Sequence, residues 1–144
     1  MGSTYAVGSA GVNSNGATYI AYCFAEKQGY SKYGSYVGNG STSDGVFVYL
    51  GFKPAFIITK KTSSTSSWRM YDNKRDGYNL TMRYLLVDQP DAEGTNSYGV
   101  DFLSNGFKMR NNFSESNYNG ETYIYIAFAE NPFTTSTGIP TTAR

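Results

Sequence analysis

Histidine is absent from the 144 residues, and with it goes the side chain most often used as general base and transition-metal ligand near neutral pH. Ser-His-Asp and Cys-His nucleophilic catalysis are thereby excluded. Cysteine occurs once, at Cys23, so no internal disulfide can form. Because it lies in an apolar run, Cys23 reads as a small buried hydrophobe. Neither sign of charge dominates: 12 Lys and Arg against 11 Asp and Glu leave a net charge of +1. That balance gives no electrostatic footprint for nucleic acid or an anionic membrane. Long apolar runs are missing too, so membrane insertion is not expected. Met1-Gly2-Ser3-Thr4 has neither the basic start nor the apolar stretch of a secretory signal. Helix signals are nearly absent.

What the chain does have is a strand-like motif that occurs twice. Residues 15–26 read Asn-Gly-Ala-Thr-Tyr-Ile-Ala-Tyr-Cys-Phe-Ala-Glu and residues 119–130 read Asn-Gly-Glu-Thr-Tyr-Ile-Tyr-Ile-Ala-Phe-Ala-Glu, with eight of twelve aligned positions identical. An Asn-Gly turn followed by β-branched and aromatic residues is the chemistry of a strand. Alternation puts Thr18, Ile20, Tyr22 and Phe24 on one face, matched by Thr122, Ile124, Ile126 and Phe128. Tyr19, Ala21, Cys23 and Ala25 share the other. The copies stand about one sandwich domain apart, roughly 100 residues. The second copy, apolar on both faces, is expected to be a central strand with Ile126 in the core.

Between the copies, short apolar runs alternate with turn-forming clusters. Strands are expected over 33–37, 46–50, 55–61, 67–72, 82–87, 98–103 and 107–110. They are separated by Gly38 to Gly45, Gly51 to Pro54, a Ser/Thr loop, a polar stretch from Asn73, and the loop 88–99. Asn105-Gly106 is expected to make a tight hairpin turn. The sum is an all-β, antiparallel β-sandwich or jelly-roll-like fold of about eight or nine strands. It divides into an N-terminal extension carrying a spare strand (1–28), a sandwich domain (29–133) and a C-terminal tail (134–144).

These motifs also carry a resemblance. Thr-Tyr-Ile-Ala-Tyr-Cys-Phe-Ala-Glu at 18–26, Gly-Ser-Tyr-Val-Gly-Asn-Gly at 34–40 and Gly-Phe-Lys-Pro-Ala-Phe at 51–56 are part of it. So are Asp-Phe-Leu-Ser-Asn-Gly-Phe-Lys at 101–108 and Tyr-Ile-Tyr-Ile-Ala-Phe-Ala-Glu-Asn-Pro-Phe at 123–133. Together they resemble a repeat of structural and tail-fibre-like proteins of tailed phages. The resemblance implies an extracellular or virion-associated setting, tandem units and no catalytic residues. This chain would then hold one whole unit plus the last strand of a preceding one.

Candidate sites follow from this. Thr18, Tyr19, Ile20, Ala21, Tyr22, Cys23, Phe24 and Ala25 form a candidate assembly strand, because an apolar strand without a place in its own sheet adds to the sheet of a neighbour. Head-to-tail addition yields a homo-oligomer or helical filament. The competing arrangement keeps both copies in one sandwich. Trp68, Tyr71 and Tyr78 are a candidate aromatic platform for a cell-surface glycan, weighed against core packing of Trp68 and surface coverage by the tyrosines. Asn39, Asn79 and Asn112 head glycosylation sequons. The acidic groupings, Asp72 with Asp76 and Asp88 with Asp91 and Glu93, read as solvated turn residues rather than a glycosidase pair. No cofactor, metal or enzymatic activity is expected. The sequence points to a structural fibre subunit, with a carbohydrate- or receptor-binding sandwich module as the alternative.

Overall fold

In a computed structural model the chain is described over residues 14–132. The start of the N-terminal lead (1–13), Phe133 and the tail 134–144 lie outside the described residues. The described part is all-β and antiparallel, with no helix. The strands are β1 (Ser31–Val37), β2 (Phe47–Tyr49), β3 (Pro54–Lys61), β4 (Arg69–Asp72), β5 (Thr81–Leu86), β6 (Gly94–Leu103), β7 (Gly106–Arg110) and β8 (Thr122–Ala129). They form one eight-stranded sheet in the order β1-β8-β3-β4-β5-β6-β7-β2. The sheet bends back until its halves face each other, which leaves β1 and β2 as its two ends.

β8 lies between β1 and β3, as expected of a strand with two apolar faces. Its inward residues, Tyr123, Tyr125, Ala127 and Ala129, are buried. Tyr123 stacks on Tyr36 at 5.3 Å, and Tyr125 meets Phe107 of the facing half edge-on at 5.6 Å. Val48, Leu50, Phe52, Ile57, Tyr71, Val100, Phe102 and Met109 complete the core. Ile126 belongs to the opposite face and is only half-buried. The expectation that it sits in the core is therefore reversed, and fully buried Ala127 holds that place.

Three local features depart from the sequence expectations. Pro54 opens β3 instead of ending the segment before it, because the first residue of a strand can do without an amide donor. β6 begins at Gly94, inside the presumed long loop, where Gly94 pairs with Tyr84. The β6–β7 hairpin turns on Ser104-Asn105, with Leu103 opposite Gly106, so Gly106 is a strand residue. A Cβ there would collide with the carbonyl oxygen of Val48. Glycine is required for space and not for the turn.

The largest departure is the first motif copy. Residues 17–26 join no ladder among the described residues and are exposed throughout. Among the described residues the β-bridge nearest this segment joins Lys27 and Ser31 at the entrance to β1.

Candidate functional site

The motif copies at 17–26 and 122–129 have the same alternating chemistry but opposite fates. In β8, Ile124, Ile126 and Phe128 stand on the outer face beside Tyr33 of β1 and Phe56 and Ile58 of β3. Their counterparts in the N-terminal arm remain largely exposed. Ile20 is 80 % exposed, Tyr22 81 % and Phe24 63 %. Tyr19 is 45 % exposed, and its hydroxyl accepts a hydrogen bond from the Ser14 amide at 2.9 Å. Cys23 is a free, exposed thiol. The buried reading of this cysteine is corrected, since the segment in which it lies is not paired among the described residues.

At its C-terminal end the arm is fixed. Lys27 and Ser31 exchange two backbone hydrogen bonds, at 3.1 and 2.9 Å, and the Ser31 hydroxyl donates to the Ala25 carbonyl at 3.0 Å. Phe24 then lies on the outer face, its ring 6.3 Å from that of Tyr33 and 6.1 Å from that of Phe128.

β1, where this arm enters the sheet, is an edge. Ala129 donates to the Tyr30 carbonyl and Gly38 to the Glu121 carbonyl, which fixes the alternation of an antiparallel pair. Lys32, Gly34 and Tyr36 therefore face β8 with their backbone groups. Those of Ser31, Tyr33, Ser35 and Val37 point away from it. Ser31 is satisfied by Lys27; Tyr33, Ser35 and Val37 have no partner strand among the described residues. Beside this edge, Tyr33, Gly34, Ser35, Ile124, Tyr125 and Ile126 line a shallow apolar depression of about 490 Å³. Gly34 is fitted to the core side: a Cβ there would stand 2.8 Å from the Tyr125 hydroxyl.

The candidate glycan platform is not assembled. Tyr71 is fully buried, Trp68 is half-buried, and Tyr78 is 82 % exposed. The faces of β4 are the reverse of the surface coverage expected for Tyr71, because Arg69 turns inward with it. The Arg69 guanidinium lies 4.0 Å from the Tyr84 ring centroid and 5.0 Å from that of Phe113. It pairs with Glu115 at 3.2 Å and donates to the Tyr71 hydroxyl at 3.3 Å. A buried arginine held in this way by its terminal nitrogens, with Nε left without a hydrogen-bond partner among the described residues, reads as polar in sequence and so inverts the inferred phase of the strand.

The sequons also separate. Asn39 donates to the Asp44 carbonyl and accepts from the Ser41 amide. Asn79 exchanges two bonds with the Phe102 backbone at 2.9 Å each. Asn112 is exposed, and its side chain makes no hydrogen bond among the described residues.

The acidic side chains serve the scaffold. Asp72 caps the amides of Lys74 and Arg75, Asp76 those of Met82 and Arg83, and Asp88 that of Trp68, while Glu93 pairs with Arg75 and Arg83. Among the described residues no three His, Cys, Asp or Glu side chains gather closely enough to hold a metal ion. The perturbed titrations have structural causes as well. Hydrogen bonding to Lys108 lowers the pKa of Asp44, and bonding to Lys53 lowers that of Glu130. Burial raises the tyrosines: Tyr36 well above its ordinary value, and Tyr71, Tyr123 and Tyr125 in the same direction.

Compared with known proteins, residues 1–132 match the family described as a domain of unknown function, DUF7483. The chain belongs to that family. No curated protein and no solved structure matches it.

Proposed function

We propose that this chain is a non-enzymatic structural subunit that joins further copies of itself head-to-tail into an extracellular or virion-associated fibre, by adding its N-terminal arm to the sheet of a neighbour. The observation that carries this reading is the arm, a segment sharing the motif of the central strand β8 at eight of twelve positions, which stands exposed and unpaired among the described residues. An alternating apolar segment in water is an unsatisfied strand. Burying side chains such as Ile20, Tyr22 and Phe24 is worth about 1.5–3 kcal/mol each, and the backbone gains a ladder at the same time. Because donor and acceptor differ, the contact is heterologous and propagates instead of closing. The absence of histidine and the scaffold duties of the carboxylates support a role without catalysis.

The test is assembly of the full chain. Sedimentation velocity and negative-stain microscopy over increasing concentration should show growth into linear polymers. The double variant Ile20→Asp/Tyr22→Asp should remain a folded monomer. A wild-type chain that stays monomeric at every concentration, or a double variant that polymerises like it, overturns the proposal.

A further inference from the structure

The arm needs an acceptor, and the geometry at β1 selects one. If the arm continued the Lys27–Ser31 bridge as a hairpin in its own subunit, Ala25 would pair with Tyr33, Cys23 with Ser35 and Ala21 with Val37. The large side chains Tyr22 and Phe24 would then face the inner side of the sheet. β8 pairs with β1 in the other phase: Ile126 lies opposite Tyr33, Ile124 opposite Ser35 and Thr122 opposite Val37, all on the outer face. Three residues of slip separate the two arrangements for the arm, and an odd slip exchanges the faces completely. The structure does not form the hairpin. The Ala25 carbonyl that Tyr33 would have to bond is held by the Ser31 hydroxyl, and Phe24 has crossed to the outer face against Tyr33 and Phe128. The turn thus denies the arm its own edge in the phase its sequence favours, whereas the arm of another molecule is not bound to that turn.

We infer that the acceptor is the free edge of β1 in a second copy of this chain. Thr18, Ile20 and Tyr22 add there as an antiparallel strand opposite Val37, Ser35 and Tyr33, in the phase that β8 uses on the other side. This rests on the strand-addition reading above and specifies its partner surface. The three unpaired residues of the edge supply the ladder. The depression formed by Tyr33, Gly34, Ser35, Ile124, Tyr125 and Ile126 receives the outer apolar side chains of the incoming strand. The small Gly34 and Ser35, both exposed, leave the approach open.

Two full-length variants test the acceptor separately from the donor. Ser35→Pro removes an amide that points away from β8, so it costs no bond of the native sheet while blocking the edge. Tyr22→Pro disables the arm, which has no ladder of its own to lose. Each variant alone should be monomeric, and an equimolar mixture should give a one-to-one heterodimer that does not grow. Should Ser35→Pro polymerise like wild type while Tyr22→Pro does not, the acceptor lies elsewhere and only the strand-addition reading survives. Polymerisation of Tyr22→Pro overturns both.

Amide hydrogen exchange provides a readout that does not depend on how Ser35→Pro folds. In assembled wild type the amides of Tyr33, Ser35 and Val37 should slow by roughly tenfold or more relative to monomeric Tyr22→Pro, while those of Lys32, Gly34 and Tyr36 are protected in both. Unchanged exchange at the three edge amides overturns the assignment.

Discussion

At the scale of single residues, burial and exposure set the chemistry. Cys23 stands on an unpaired arm, so a maleimide should label it in the monomer as fast as in urea, and assembly should slow that labelling. Buried Tyr36 makes the opposite kind of prediction. Its folded pKa lies well above the ordinary value of about 10 because burial disfavours the phenolate. A group raised in this way stabilises the fold fully below the unfolded pKa. As the pH climbs past about 10 the unfolded chain releases protons that the native chain keeps, and stability declines until the folded group ionises too. Tyr71, Tyr123 and Tyr125 shift in the same direction. Urea titrations across this range should show a steep alkaline loss, made shallower by Tyr36→Phe. Asn117 is fully buried and accepts from the Asn39 amide at 3.1 Å while donating to the Ser41 and Asn111 carbonyls. Asn117→Ala leaves those groups unpaired, and each buried orphan costs about 1–3 kcal/mol, measurable as a lower urea midpoint.

At the scale of elements, β8 and the arm show that one sequence pattern can have two outcomes. The difference lies in their neighbours, since β8 has β1 on one side and β3 on the other, and the arm has neither. Within β8 the two faces should respond unequally to charge. Ala127→Asp places a carboxylate in the sealed interior, with a penalty of several kcal/mol against a total stability of about 5–15, and circular dichroism should show an unfolded chain. Ile126→Asp, on the half-buried outer face, should remain folded with a lowered melting temperature. The β6–β7 hairpin was legible as a hairpin from its Asn-Gly, yet its turn residues were not. Gly106 answers to the carbonyl of Val48, a residue remote in sequence, and no local rule reports such a contact.

At the scale of the molecule, the described residues leave the arm unpaired and the edge of β1 open on the same chain, and the proposed polymer joins them through backbone bonds and apolar side chains. With a net charge of +1, assembly should be nearly insensitive to salt, unlike a contact held by exposed ion pairs, which screening weakens. Light scattering at low and high ionic strength checks this. The sequence by itself determined the all-β class, most of the strands and the presence of two copies of one strand-like motif, because alternation, turn residues and β-branched content act over a few neighbouring positions. It likewise excluded histidine chemistry. Only the tertiary structure decided that Arg69 and Tyr71 face inward, that Asn39 and Asn79 are engaged while Asn112 is free, and that residues 17–26 stand outside the sheet. The physical reason is common to all of these. Burial and pairing belong to what a residue meets across the fold, and two segments with eight of twelve positions in common part ways because one meets β1 and β3 across the sheet and the other meets no strand among the described residues.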